Sequence, residues 1–453
     1  MKLVAPPIEV APEDGFANDV LDRKPYGQAL CNVISRSEDE LVICLDGKWG
    51  EGKTTFVKML RGLLAESSIP SIYIDAFSSD HVEDPFFAVA SEIASFAEKS
   101  GIKEVVQSKL RERTVAAGVQ LLSWGAKIGF KVATLGALTA SDIEALSEVK
   151  GDIADDVSKI SSKFVQERLD AYSSSMAAFD SYRASLSALP EALESDNTNK
   201  LVVIVDELDR CKPTFAVSLI EEVKHLFSVP NVAFILVMNK EQLQESIRSV
   251  YGQGIDAHTY LQKFINLETR IPRKSSYYSH ISDTAKYIDH LWSVHNFESW
   301  GDQQNIVDCL EILAKHFDLS LREVERVFTN IAVLYGTTDE NHLRLVPLIV
   351  FLAVLKVTES RLFNTLLNGQ IGYQELTERL KLGENLKEED QHKLQWMLEW
   401  VRFAVLTEDQ YTSLPEDDPL IKNNFGNSLF RYNVERTRLL PIFAQHMSAF
   451  VVT

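Results

Sequence analysis

Residues 41–60 read LVICLDGKWGEGKTTFVKML, and this stretch decides the fold. It opens with five apolar residues, as in a strand that is buried on both faces. A glycine-rich turn follows, and from Thr54 onward apolar side chains recur at helical spacing. The order strand, glycine-rich turn, helix predicts a backbone that can wrap around a phosphate group at the start of a helix.

The turn carries the P-loop pattern Gly47-x-x-x-x-Gly52-Lys53-Thr54. Glycines let the backbone curl so that successive N–H groups point at phosphate oxygens. Lys53 would neutralise the β- and γ-phosphates, and the Thr54 hydroxyl can ligate Mg²⁺. Chance alone would produce these fixed positions in a chain of this length roughly one or two times in a hundred. We therefore predict that ATP is bound by Gly47, Trp49, Gly50, Glu51, Gly52, Lys53, Thr54 and Thr55.

A second motif, LVVIVDELDRC at residues 201–211, is an apolar run that ends in two acids. Asp206 would hold Mg²⁺ together with Thr54, and Glu207 would polarise the attacking water. An apolar run followed by acids is common, so a solvated strand end is the alternative. The upstream P-loop favours the metal site, and a base beside the metal favours hydrolysis over transfer to a small acceptor.

The rest of the first 270 residues alternates strand-like and helical patterns, which predicts a parallel sheet covered by helices. Strand-like runs occupy Leu41–Leu45, Ser71–Ala76, Leu201–Val205 and Ala233–Met238, and helical periodicity occupies Thr54–Leu64, Pro85–Ala97 and Pro213–Phe227. Asn239 follows the last of these strands. It is either a sensor of the γ-phosphate and a catalytic group, or the N-cap of the next helix.

Composition narrows the class of protein. The chain has 453 residues, 45% hydrophobic and 25% charged, with a net charge of −19. This balance excludes a disordered polymer, a collagen-like fibre and a disulfide scaffold, and the acidity weighs against a role in coating nucleic acid or anionic membrane. The four cysteines are too far apart for a zinc site. The N-terminus shows no secretory signal, so we expect a cytoplasmic protein with reduced thiols.

The region between residues 99 and 199 is expected to be a helical insertion between two strands of the sheet. Within it, residues 115–140 are rich in small and apolar side chains but include Lys127 and Lys131. We expect a helical pair that packs on protein or lies at an interface. Membrane contact through this stretch is the alternative, although no run reaches the length of a membrane span.

Several ordered blocks together resemble the KAP family of P-loop NTPases, from about residue 17 to residue 360. Besides the P-loop, they are DVLDRKPYGQAL (19–30), IDAFSSDHVEDPF (74–86), DELDRC (206–211), YLQKFINLETRIP (260–272) and LSLREVERVFTNI (319–331). Glu207 stands where the family commonly has a second Asp, and Asn239 stands where many relatives carry Asp. Leu321 replaces a lid proline.

The resemblance implies a doubly wound α/β P-loop NTPase of the ASCE type, with a parallel sheet, a helical insertion and a C-terminal all-helical lid region. It also implies that Arg322 and Arg326, four apart on one helix face, act in catalysis as lid arginines that reach the γ-phosphate. Surface ion pairs with the neighbouring glutamates are the alternative. Entry-segment residues such as Leu21, Arg23 and Tyr26 would cover the adenine or belong to the core.

The predicted organisation is the N-terminal part of the NTPase core (1–98), the insertion (99–199), the rest of the core (200–272), a helical lid (273–360) and a C-terminal helical region (361–453). Members of the family occur in bacterial phage-exclusion and defence loci and in animal membrane scaffolds. The resemblance thus implies a Mg²⁺-dependent ATPase that acts as a switch or regulator in a bacterial anti-phage defence complex, with effector or sensor proteins as partners and a homo-oligomer as one arrangement. An ATP-binding assembly scaffold with little turnover and a DNA-stimulated ATPase are the alternatives.

Overall fold

The computed structural model describes residues 2–10, 14–81, 84–135, 173–193, 199–273, 282–382, 388–430 and 432–448. Its centre is a five-stranded parallel sheet in the order β2-β3-β4-β1-β5. The strands are β1 (Leu41–Asp46), β2 (Ser71–Asp75), β3 (Leu201–Asp206), β4 (Val232–Met238) and β5 (Leu267–Arg270). The first four confirm the predicted strands.

Helices cover both faces of the sheet. Successive side chains of a strand point to opposite faces, and in the central strands both sets are buried. In β1, Val42 and Cys44 belong to one buried cluster, and Ile43 and Leu45 belong to another. The helices of the core are α1 (Lys24–Arg36), α2 (Lys53–Glu66), α3 (Pro85–Lys99), α4 (Glu104–Leu135), α5 (Pro213–Glu222) and α6 (Lys240–Tyr251). Helices α1 and α2 cover the Ile43 face and the other four cover the Val42 face, which confirms the doubly wound α/β fold.

Two local expectations differ from the structure. Strand β5 was not expected, because its sequence LETR is short, lies at the edge of the sheet and buries only alternate side chains partly. The helix predicted over Pro213–Phe227 ends its α-helical part at Glu222, and a π-helical turn continues over Val223–Phe227. Cys31, Cys44, Cys211 and Cys309 are free and buried, as expected for reduced thiols.

The described parts of the 99–199 insertion are helical. Besides α4, residues 173–187 form a helix and Leu189–Ala192 form one turn. The stretch expected to be a helical pair is one unbroken helix as far as Leu135, and residues 136–140 lie outside the described residues. Within the parts of the chain that the structure describes, no helix combines the length and apolar character needed to cross a bilayer.

The chain beyond β5 is helical wherever it is described, as predicted. The longer helices are α7 (Asp283–His295), α8 (Gln303–His316), α9 (Leu321–Gly336), α10 (Val346–Thr358), α11 (Ser360–Leu367), α12 (Tyr373–Leu380), α13 (Glu388–Val405) and α14 (Leu439–Met447). Short helical turns cover Ala76–Ser79, Leu208–Arg210, Ala257–Leu261, Glu408–Thr412, Pro419–Lys422, Asn427–Phe430 and Arg436–Arg438. One buried cluster runs from the lid into the C-terminal region, with α10 at its centre. The boundary between these regions at residue 360 remains a prediction.

The order of the strands positions the site. Strand β4 lies between β1, which leads into the P-loop, and β3, which ends in the acidic pair. This intervening strand is the arrangement of the ASCE type. Because all strands are parallel, their carboxyl ends meet at one edge of the sheet, where open α/β folds bind ligands.

Candidate nucleotide-binding site

The P-loop joins the end of β1 to the start of α2. The amide of Gly47 donates to the carbonyl oxygen of Met238 at 3.2 Å, which ties the start of the loop to the end of β4. Gly50 and Gly52 have φ angles of 83° and 78°, a region that side chains disfavour. Gly52 is also the N-cap of α2, so the loop ends at the positive end of that helix.

Lys53 is the first residue of α2 and its side chain lies back under the loop. Its Nζ donates to the carbonyl oxygens of Gly47 and Lys48, the second at 3.1 Å. Burial lowers the pKa of Lys53, while the nearby carboxylates of Asp209 and Glu51 act to raise it. A buried ammonium group at this position is a strong partner for phosphate oxygens.

The two sequence motifs meet at Thr54. Its hydroxyl lies 3.5 Å from Oε1 of Glu207, and it also forms a hydrogen bond with the carboxylate of Asp206. Asp206 itself is 1% exposed. The structure thus brings the predicted metal ligands Thr54 and Asp206 together with the predicted base Glu207, beside Lys53.

Tyr73 is a residue of the site that the sequence did not indicate. Its hydroxyl donates to Oδ2 of Asp206 at 2.9 Å, and the amide of Glu207 donates to Oδ1 at 2.8 Å. Burial raises the pKa of Asp206, and the bonds from Thr54, Tyr73 and Glu207 partly offset this effect. Both carboxylate oxygens are therefore held in a fixed orientation, as in the outer shell of metal sites.

Glu207 has a left-handed backbone with φ of 62°, which turns the chain from β3 into the helical turn Leu208–Arg210. Its Oε2 forms an ion pair with Nη1 of Arg210, three residues on. The neighbouring carboxylate of Asp209 has a different partner, because it accepts a hydrogen bond from Nε1 of Trp49. Burial raises the pKa of Glu207, and Arg210 acts to lower it.

Two cavities flank the P-loop. The smaller, about 90 Å³, is lined by Trp49, Gly50, Gly52, Lys53, Thr54, Thr55, Asp206, Glu207, Asp209, Arg210 and Arg322. The larger, about 320 Å³, is lined by loop, lid and N-terminal residues that include Leu21, Arg23, Thr55, Leu321 and Arg322. Gly50, Gly52, Thr55 and Arg322 line both, so the loop separates a phosphate-sized space from a larger one.

The lid contacts the loop directly. Helix α9 begins with a capping box in which Ser320 and Glu323 satisfy each other's backbone amides. The amide of Arg322 donates to the carbonyl oxygen of Gly50 at 3.2 Å. Arg273 bridges the loop and the lid, because it pairs with Glu51 at 2.8 Å and with Asp318 at 2.7 Å.

The other predicted catalytic residues lie farther from the phosphate space. Arg326 is exposed on α9, and neither it nor Asn239 appears among the described residues that line the two cavities. Asn239 caps α6, with its side chain accepting from the amides of Glu241 and Gln242. Tyr26 packs on Phe56 rather than in a cavity. The sensor role of Asn239 and the γ-phosphate contact of Arg326 therefore remain predictions.

The oxygen donors suit a magnesium ion. Mg²⁺ is held by one or two carboxylates, hydroxyls, waters and substrate phosphates rather than by a cage of protein ligands. Among the described residues no group of three or more His, Cys, Asp or Glu side chains forms a metal site of that caged kind. The Thr54 hydroxyl and the buried carboxylate of Asp206 are hard oxygen ligands that lie beside the loop, so this pair fits the ion.

Comparisons with known proteins agree with this geometry. The family model described as the KAP family P-loop domain matches residues 23–338, which is more than half of the chain. The chain belongs to the KAP family. Its fold is that of a P-loop NTPase, with the loop, the acidic strand end and the first lid helices all inside the matched range.

Among curated proteins, the chain is similar to the phage T7 exclusion protein of Escherichia coli K12. The two are 24% identical over 294 residues, which cover 60% of this chain and 35% of that protein. This KAP chain therefore matches about a third of the length of its relative. Two solved structures of the Aeropyrum pernix ORC2 protein, the ADPNP-ADP and ADP forms, align with TM-scores of 0.30 and 0.29 at 14% and 13% identity, over 99% and 98% of this chain and 89% and 88% of theirs.

The lid lies directly against the loop at Gly50, so we expect Gly50→Ala to push the lid away. A Cβ at this position would lie 2.6 Å from Cβ of Arg322 and 2.9 Å from Oγ of Ser320. We expect ATP affinity to fall about tenfold, since such displacement costs on the order of 1–3 kcal/mol. Amide hydrogen exchange in α9 should accelerate as well.

Gly101→Ala is the matched control. Gly101 also has a positive φ, 68°, but a Cβ there would meet nothing within 4 Å. It carries the same backbone cost without the clash. Equal changes in ATP affinity and in α9 exchange for both variants would show that the lid does not rest on Gly50.

Proposed function

We propose that this protein is a Mg²⁺-dependent ATPase that works as a nucleotide-controlled switch in a bacterial anti-phage defence system. The observation that carries the proposal is the meeting of Thr54, Asp206 and Glu207 at the phosphate-sized cavity, beside Lys53 and the lid residue Arg322. Membership of the KAP family and the similarity to a phage exclusion protein support the defence setting.

Each residue has a distinct task in this proposal. The loop amides and Lys53 bind the phosphates, and Thr54 and Asp206 orient the metal, which when bound would neutralise phosphate charge. Glu207 accepts the proton of the attacking water. Arg322 belongs to the lid and lines the phosphate cavity, so the position of α9 depends on what occupies the cavity.

The direct test measures phosphate release from ATP by the purified protein, with and without Mg²⁺, and phage infection of cells that carry the gene with its neighbouring genes. We expect hydrolysis that stops when a chelator is added, and protection that is lost when hydrolysis is lost. ATP binding with no phosphate release, in the presence of the products of the neighbouring genes, would favour an assembly scaffold instead. Hydrolysis that appears only when DNA is added would favour a DNA-stimulated ATPase.

The ion pair with Arg210 gives Glu207 a predictable pH dependence. A carboxylate base works above its pKa, and burial already raises the pKa of Glu207. Because Arg210 acts to lower that pKa, Arg210→Ala should raise it further and move the acidic limb of the kcat–pH profile to higher pH. The rate should fall several-fold near neutral pH and recover as the pH rises.

Arg248→Ala is the control for this prediction, because Arg248 forms the same type of ion pair with Glu245, three residues away on α6. Its kcat–pH profile should match that of the wild type. Arg210→Lys should restore most of the wild-type profile. A uniform loss of rate at every pH in Arg210→Ala would mean that Arg210 supports only the local fold.

A further inference from the structure

Residues 2–10, here called the N-terminal strap, begin on the lid. The amide of Lys2 donates to the carbonyl oxygen of His295 at 2.9 Å, and the carbonyl oxygen of Lys2 lies 2.6 Å from Nδ1 of the same histidine. His295 is fully buried at the end of α7. Ala5 also packs against the buried cluster of the lid. One end of the strap is therefore fixed to the lid.

The other end lies on the core. Ile8 and Val10 pack against the buried cluster that α1 and α2 form under the sheet. The carbonyl oxygen of Glu9 accepts a hydrogen bond from the side chain of Asn18 at 2.9 Å. The inward residues are thus Ala5, Ile8 and Val10, whereas Val4 is 75% exposed. The strap therefore crosses from the lid to the core.

Between its two ends the strap passes over the 320 Å³ cavity. Residues Ala5, Pro6, Pro7 and Ile8 form part of its wall. The opposite walls come from the loop, from Phe56 and Met59 of α2, from the entry residues Asp19, Val20, Leu21 and Arg23, and from the lid residues Tyr287, His290, Leu321, Arg322 and Glu325. The volume lies within the range of small-molecule sites.

The location of this cavity says which part of a nucleotide it would receive. It shares Gly50, Gly52 and Thr55 with the phosphate cavity, whereas the acidic pair Asp206 and Glu207 lines only the phosphate cavity. A triphosphate held by the loop would leave its nucleoside in this space. The apolar side chains of Ile8 and Met59 suit the faces of a flat purine ring. The polar side chains of the lid, His290 and Glu325, suit the edges of that ring.

We propose that the N-terminal strap is the outer wall of the nucleoside site and binds the purine base and ribose of the nucleotide. The inference rests on the proposed function, because it takes the loop to be the phosphate site. Two consecutive prolines fix the backbone of the strap in advance, which lowers the entropy lost when the nucleotide contacts it. The loop and Lys53 bind the phosphates of the nucleotide, and the strap binds the base and ribose that are attached to them.

The test compares ADP with pyrophosphate, which has the same two phosphates and no nucleoside. Affinities are measured by calorimetry in the presence of Mg²⁺ for the full chain and for a chain that lacks residues 2–10. We expect deletion of the strap to weaken ADP about tenfold or more, since contact with several apolar side chains is lost. Pyrophosphate affinity should change by less than about twofold, as no phosphate contact is removed.

Two further variants test whether the loss of ADP affinity comes from the strap itself. Pro6→Gly/Pro7→Gly keeps the strap and its ends but loosens its middle, and should weaken ADP by a smaller factor than deletion. Val4→Ser alters only an exposed side chain and should bind ADP as the wild type does. In the full chain, ADP should slow amide hydrogen exchange of the peptide that contains Lys2, and pyrophosphate should not.

The contradicting outcomes separate the strap from the proposed function. If the full chain binds ADP and the deleted chain binds it equally well, the strap is not part of the site. If deletion weakens ADP and pyrophosphate by the same factor, the strap supports the fold as a whole and the inference is wrong. If the full chain binds neither ligand, the proposed function fails and the inference fails with it.

Discussion

Replacement of Glu207 by glutamine is expected to lower kcat for ATP by about 100-fold or more, the usual loss when a general base is removed. The affinity for MgATP should remain within about threefold of the wild type, because the proposed phosphate and metal contacts belong to Lys53, Thr54 and Asp206. Glutamine has the shape of glutamate and accepts the left-handed backbone at the same cost, but it cannot take a proton from water. The measurement is steady-state phosphate release together with equilibrium binding.

The control for Glu207→Gln is Glu245→Gln, which breaks the surface ion pair with Arg248 and lies outside the site. It should keep the wild-type kcat. A Glu207→Gln protein that hydrolyses ATP at the wild-type rate would remove Glu207 from the reaction. A variant with wild-type kcat and weakened binding would make Glu207 a binding group instead.

Replacement of Lys53 by alanine is expected to abolish tight binding of ATP. Lys53 is 9% exposed, and its charge lies beneath the loop against the carbonyl oxygens of Gly47 and Lys48. Loss of one partner from a buried charged contact costs about 2–5 kcal/mol, so affinity should fall roughly 30-fold to several-thousand-fold. Calorimetry with MgATP measures the loss.

Lys48→Ala is the matched control in the same loop. Lys48 is exposed, and its ammonium group pairs with Asp318 on the lid side rather than with loop carbonyls. An exposed ion pair contributes about 0–1 kcal/mol, so affinity should change by no more than about fivefold. Equal losses in the two variants would mean that the loop responds to net charge and not to the position of Lys53.

The fold was predictable from the sequence wherever a buried element produces a continuous run or a regular spacing of apolar residues. The central strands are apolar runs because both faces of the sheet are covered, and the P-loop and Asp206–Glu207 follow two of these runs directly. Strand β5 was missed because an edge strand is only partly buried and its four residues form no apolar run. Strand β5 is recognised only by its hydrogen-bonded pairing with β1, which exists once the sheet has assembled.

The site was predictable only in the residues that the two motifs contain. Tyr73 reaches Asp206 because β2 lies beside β3 with Asp75 opposite Asp206, a register that no local pattern reveals. The same holds for Arg273 and Asp318, which meet across the loop although they are far apart in sequence. Contacts of this kind depend on tertiary packing, which periodicity does not encode.

The N-terminal strap is the part of the proposed site that could least be predicted from the sequence. Residues 2–10 have neither helical nor strand periodicity, and the sequence offered no reason to connect them with a ligand. Their role in the cavity wall follows from the contacts of Lys2 with His295 and of Ile8 with the core. Asn239 caps α6, which is one of the two roles that the sequence suggested, and its role as a γ-phosphate sensor remains a prediction.

The most direct test of the central claim is to measure bound ATP and released phosphate in the same samples of the wild type, Glu207→Gln and Lys53→Ala, with Mg²⁺ present. The wild type should bind ATP and release phosphate, Glu207→Gln should bind ATP and release almost none, and Lys53→Ala should do neither. Phosphate release by Glu207→Gln at the wild-type rate, or full ATP binding by Lys53→Ala, would contradict the assignment of this site as an ATPase centre.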